Sequence, residues 1–135
     1  MINVGLSASA ADVCNGALPV AVRVYANEDD ETPTGDGVFS PDALSIAPGT
    51  LRLRYERIGS GKGRVYLIVT TSTDSSGNVG AACSTVAVPS AGSAAGLTAV
   101  NNLAAAARSA CVASNGTPPA GYVLVGDGVV IGTKQ

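Results

Sequence analysis

The chain has 135 residues, 46% of them hydrophobic, but that fraction is mostly small: 22 Ala and 17 Val against one Phe, four Tyr and no Trp. A chain of this length supports one packed domain with an appendage and not two full cores. There is no histidine, which removes Ser-His-Asp and Cys-His pairs, His zinc ligands and the side chain that titrates unaided near neutrality; eight Lys and Arg against ten Asp and Glu give a net charge of −2, so the counterion release that drives nucleic-acid binding has no source.

Ile2-Asn3-Val4-Gly5-Leu6 alternates as a strand does, and Leu18 to Tyr25 places Val20, Val22 and Val24 on one face. The opening residues lack the basic and apolar regions of a secretory signal. The expectation is a signal already removed, an excised domain, or a chain released without one. Between Arg23 and Arg52 there is no cation, yet the stretch holds Glu28, Asp29, Asp30, Glu31, Asp36 and Asp42, six of the ten acids. Leu51 to Arg57 alternates apolar with charged, the mark of a half-buried strand. After Gly59-Ser60-Gly61-Lys62-Gly63, Arg64 to Thr71 is apolar on both faces and is expected to be a central strand. Asp74-Ser75-Ser76-Gly77-Asn78 is the next turn, with Asp74 and Asn78 as Asx caps, and Ala82 to Val88 is a strand stopped by Pro89. Short strands separated by Gly, Asp, Ser and Asn turns predict an all-β sandwich.

From Ser90 the composition changes. Residues 93–113 are Ala-rich and free of Pro, with Leu97, Val100, Ala104, Ala107 and Cys111 at three- and four-residue spacing. This predicts a helix capped by Ser93, stopped at Asn115-Gly116, and too narrow in its apolar face to stand alone. Thr117 to Gly121 is a Pro-containing linker. Tyr122-Val123-Leu124-Val125 and Val129-Val130-Ile131 then bracket Gly126-Asp127-Gly128, either as a hairpin or as one extended strand. The expected organisation is a sandwich over 1–89, a helical segment over 90–116, and a linker with a C-terminal strand or hairpin over 117–135. No apolar run reaches the roughly 18 residues of a helical membrane span. Cys14, Cys83 and Cys111 have neither a C-x-x-C pair nor a His beside them, so they read as small buried thiols or as one disulfide with a cysteine left over.

The run Tyr66-Leu67-Ile68-Val69-Thr70-Thr71-Ser72-Thr73-Asp74-Ser75-Ser76-Gly77-Asn78, continued by Val79 to Val88 with Cys83 and alternating Val, resembles the closing hairpin of bacterial extracellular immunoglobulin-like repeats of the hyalin-repeat type. With Gly35-Asp36-Gly37, Ser40-Pro41-Asp42, Leu51 to Arg57 and Gly61 to Tyr66, the resemblance covers about residues 2–89. It implies an immunoglobulin-like β-sandwich in a secreted or surface-attached bacterial protein, serving as an adhesion, stalk or spacer module without catalysis. It also implies a Cys14–Cys83 bridge, leaving Cys111 to be buried or to pair between molecules. A bridge of that span would stabilise the fold by about 4 kcal/mol on the chain-entropy model. Residues 90–135 lie beyond the resemblance.

Calcium is the cofactor that the acidic stretch invites, because clustered carboxylates repel one another and a hard cation takes six to eight oxygens. Glu28, Asp30, Asp36, Asp42 and Glu56 are the candidate donors, without EF-hand order; the plainer alternative is a solvated acidic loop. The Gly59–Gly63 turn is not a phosphate loop, since Glu56 stands where the first Gly belongs and Gly63 where Ser or Thr belongs. Few aromatic rings and carboxylates on a loop argue against glycoside hydrolysis. The chain is therefore expected to be a non-enzymatic, extracellular structural subunit. It is expected to self-associate into filaments by adding residues 122–131 to a neighbour's sheet, through Tyr122, Val123, Val125, Val129 and Ile131. A calcium-dependent adhesion module that contacts a glycan or surface protein, and a phage virion decoration protein, are the alternatives.

Overall fold

The computed structural model describes residues 1–28 and 41–126. In chain order they form β1 (Ile2–Asn3), β2 (Ala10–Asp12), β3 (Gly16–Leu18), β4 (Ala21–Ala26), β5 (Ala43–Leu44), β6 (Arg52–Leu53), β7 (Gly63–Thr73), β8 (Val79–Pro89), α1 (Ala94–Ala113) and β9 (Val123–Val125). Every paired strand is antiparallel. A four-stranded sheet runs β8-β7-β4-β9, a small sheet runs β1-β6-β5, and β2-β3 is a hairpin.

β7 is the spine. Its side chains alternate between two cores, which is why its sequence is apolar on both faces. Tyr66 and Ile68 turn toward the small sheet, with Val24, Ala26, Ala43, Leu51, Leu53, Val88 and Val125. Val65, Leu67 and Val69 turn the other way, onto α1, where Val100, Ala104 and Ala107 meet Val65, and Cys111 meets Leu67, Val69 and Cys83. The molecule is thus layered: small sheet, large sheet, helix. The Ala-rich helix face that could not stand alone is covered by the sheet, and its small side chains allow close approach.

The ends of α1 follow from local chemistry. Ser93 Oγ accepts from Gly96 N–H at 3.2 Å as N-cap. At the other end Asn115 N–H donates to Val112 O and Gly116 N–H to Cys111 O, with Asn115 in the left-handed region at φ 49°. A Cβ on Gly116 would lie 2.8 Å from that of Ala81, so glycine lets this helix end seat against β8. The β7–β8 turn is likewise built by one carboxylate: Asp74 Oδ1 accepts from Ser76 and Asn78 N–H at 2.8 Å and Oδ2 from Asn78 Nδ2 at 2.7 Å. These bonds, the Asn78 side chain's first, hold the Asp74 carboxyl below its ordinary range.

Two expectations are corrected. Cys83 is bonded to Cys111, with Cα atoms 6.2 Å apart, while Cys14 is an exposed free thiol. Cys14 sits at the tip of the β2–β3 hairpin, in a turn fixed by Asp12 Oδ1, which accepts from the N–H groups of Cys14 and Asn15. Cys111 instead falls on the helix stripe that faces Cys83. The tail is corrected in part as well. Val123, Leu124 and Val125 pair with Ala26, Tyr25 and Val24 of the same chain, and Val125 is buried in the core between the sheets. Tyr122 packs under α1. These residues have a home in their own subunit because β4 offers an unpaired edge beside an apolar core. Val129 and Ile131 lie outside the described residues.

Candidate functional site

The densest polar constellation stands at one end of the core between the sheets, around Arg64. As the first side chain of β7 that turns toward this core, Arg64 is enclosed by the fold rather than by choice of residue, and it is fully buried. A buried guanidinium needs counter-charge and acceptors for its donors. Glu28, just past β4, supplies Oε2 to Arg64 Nε at 3.0 Å. Asp42, just before β5, supplies Oδ2 to Arg64 Nη1. Tyr66 OH accepts from the same Nη1 at 3.1 Å and donates to Arg54 O at 2.9 Å, and its ring centroid lies 5.7 Å from Arg64 Cζ. Burial by itself lowers the arginine's proton affinity, but Tyr66, Asp42 and Glu28 outweigh it and hold the guanidinium above its usual range.

A second ring of contacts fastens this cluster. Arg54 Nε lies 3.6 Å from Asp42 Oδ1 and 3.9 Å from Glu56 Oε2, and Arg54 also donates to Pro41 O from Nε and Nη2. Ile58 N–H donates to Glu28 Oε2 at 2.9 Å. Asn27 extends the β4–β7 ladder with its side chain, accepting from Val65 N–H at 2.7 Å and donating to Gly63 O at 3.2 Å.

Of the five candidate calcium donors, the fold therefore brings Glu28 and Asp42 together, but onto an arginine. Glu56 joins the cluster through Arg54. Asp30 and Asp36 lie outside the described residues. Among the described residues no group of three Asp, Glu or Cys side chains is placed to hold a metal ion. The signal that sequence reasoning missed was Arg64 itself, a charge opening a strand that is apolar on both faces and so obliged to find carboxylates. Gly59–Gly63 is a turn between β6 and β7, closed by Gly61 N–H to Ile58 O at 3.0 Å. Gly63 has φ +108°, and a Cβ there would stand 2.6 Å from Val88 O.

The second feature is an edge. Val65 directs its N–H and C=O toward the β4 side, where Asn27 takes both. By the alternation of an antiparallel ladder, Tyr66, Ile68 and Thr70 direct theirs to β8, and their partners Val86, Ser84 and Ala82 point back. The main-chain groups of Ala81, Cys83, Thr85 and Ala87 consequently point out of the sheet. Arg108 Nε covers Cys83 O at 3.2 Å and Asn115 Nδ2 covers Val79 O at 3.3 Å. β8 carries no charged residue, and residues 75–126 as a whole carry one, Arg108.

Comparison with protein-family models, with curated proteins and with solved structures finds no match. No described helix is long and apolar enough to cross a membrane, and the Cys83–Cys111 bond belongs with an oxidising compartment.

Proposed function

We propose that this chain is a non-catalytic structural subunit of the extracellular space, with an immunoglobulin-like sandwich at its centre, that self-associates head to tail by strand addition. The observation that carries the reading is the placement of the two ends of the large sheet. β9, from which the chain passes to residues 127–135, is one edge, and the uncharged strand β8 is the other. Natural edges are blunted by charge, proline or a bulge. A donor and an acceptor on opposite edges make a heterologous contact, which propagates instead of closing. Since 123–125 are paired at home, the donor reduces to Val129, Val130 and Ile131.

The arginine cluster supports the same reading. Its carboxylates and its cation are engaged with one another, so the most concentrated charge in the described structure is used to hold the fold. The test is particle size by light scattering and electron microscopy for the full chain and for one ending at Gly126, which retains β9. Oligomers that disappear with the last nine residues support the proposal; assemblies of unchanged size refute it.

A further inference from the structure

β8 has β7 as its one sheet neighbour, while Ile2–Asn3 pair with β6 in the small sheet and Ala10 starts the β2–β3 hairpin. Two clefts lie in the seam between the two sheets beside β8: one is lined by Ile2, Val4, Arg54, Tyr66, Val86 and Val88, the second by Ala8 to Ala10, Val20, Thr70 to Ser72 and Gly80 to Ala82. Ile2 is 55% exposed, and the outward main-chain groups of Thr85 and Ala87 border the same seam. An added strand finds there both requirements of β-augmentation: free ladder groups and shallow pockets for alternate side chains. Resting on the self-associating reading above, we infer that this seam is the acceptor and that its occupant is Val129-Val130-Ile131 of the next copy.

Geometry selects the next copy over the same one. β8 and β9 are separated by three strand spacings, about 14 Å. Val129 stands three residues beyond Gly126, a reach of about 10 Å. At that reach Val129, the first residue of the donor, falls short of its own β8 edge, which favours a neighbour's edge as the acceptor. The charge pattern agrees: a neutral, β-branched segment meets β8, which carries no charged residue.

Two full-length variants test this. Thr85→Pro deletes one outward N–H and leaves the β7 ladder intact, as proline does on an edge strand; it should donate but not accept. Val129→Asp/Ile131→Asp should accept but not donate. Each alone is expected to be monomeric, and a mixture to give a 1:1 heterodimer without polymer. Residue-resolved hydrogen exchange supplies a readout that survives a folding defect in Thr85→Pro: the Thr85 and Ala87 amides should be protected in wild-type assemblies and exchange at least tenfold faster in Val129→Asp/Ile131→Asp. Several results would overturn the acceptor assignment while leaving self-association standing. They are Thr85→Pro polymerising like wild type while Val129→Asp/Ile131→Asp is monomeric, no heterodimer on mixing, or a discrete dimer of Val129→Asp/Ile131→Asp, which would mean β8 pairing with β8. A wild-type chain that stays monomeric at millimolar concentration overturns both.

Discussion

Replacing Arg64 by Met removes the cation on which Glu28 and Asp42 converge. Arg64 is 0% exposed, Asp42 1% and Glu28 7%, so both carboxylates stay in the interior after the change. Breaking a buried pair from one side costs about 3–5 kcal/mol, because the remaining charge is uncompensated. Here Arg54 still stands 3.6 Å from Asp42 and Ile58 N–H still bonds Glu28, which places the expected loss at the lower end, about 3 kcal/mol. An entropy of unfolding near 2.1 cal/mol/K per residue makes that a fall in Tm of about 10 °C for this chain. Urea unfolding at neutral pH measures the loss directly. Adding Glu28→Gln and Asp42→Asn to Arg64→Met should restore at least about 1 kcal/mol, since the stranded charges are gone. A loss below about 1 kcal/mol for Arg64→Met, or a triple variant no more stable than the single one, would refute the view that the cluster acts by mutual neutralisation.

Three further outcomes follow from the same geometry. Replacing Cys83 and Cys111 by Ala frees a crosslink of sequence separation 28 and should cost about 3.5 kcal/mol on the chain-entropy model; in the native protein a maleimide should label Cys14 alone, read by mass spectrometry. Gly63→Ala combines a left-handed φ with a Cβ 2.6 Å from a backbone carbonyl and should lose about 2–4 kcal/mol in urea unfolding. Asp74→Ala tests pH dependence. The Asp74 carboxyl is held below its ordinary range in the fold, so its contribution is present above the unfolded value near pH 4 and is lost as pH falls through the folded value. The stability gap between wild type and variant should be constant near neutrality and close in acid; a gap that widens as pH falls contradicts the assignment.

The parts legible in the sequence were those whose cause is local. The double-faced run from Arg64 to Thr71, the Asp74 turn and the Ser93 cap each carry their explanation within a few residues, and each is found where it was read. The parts that were not legible depend on pairings across the chain. Nothing within Tyr122–Val125 distinguishes a strand that seeks a neighbour from one that returns to β4, about a hundred positions earlier in sequence. The disulfide could have been read differently, because the three- and four-residue stripe that predicts α1 also puts Cys111 on its buried face; the family likeness drew Cys83 toward Cys14 instead. The acidic residues were seen as a group, but only the position of Arg64 shows that Glu28 and Asp42 belong to the core; Asp29, Asp30, Glu31 and Asp36 lie outside the described residues.

One consequence of the arginine cluster concerns what the chain can tolerate. Glu28 and Asp42 are the last charged positions before, and the first after, residues 29–40, and one side chain grips both. The two stems are thereby pinned to one another through Arg64, and between pinned stems the closure entropy of a flexible connection rises only slowly with length, by about 0.6 kcal/mol per doubling. Insertions between Asp29 and Ser40 should therefore be accepted with little thermodynamic penalty, which makes this position a natural place for lineages to vary, or for an engineer to graft a foreign epitope.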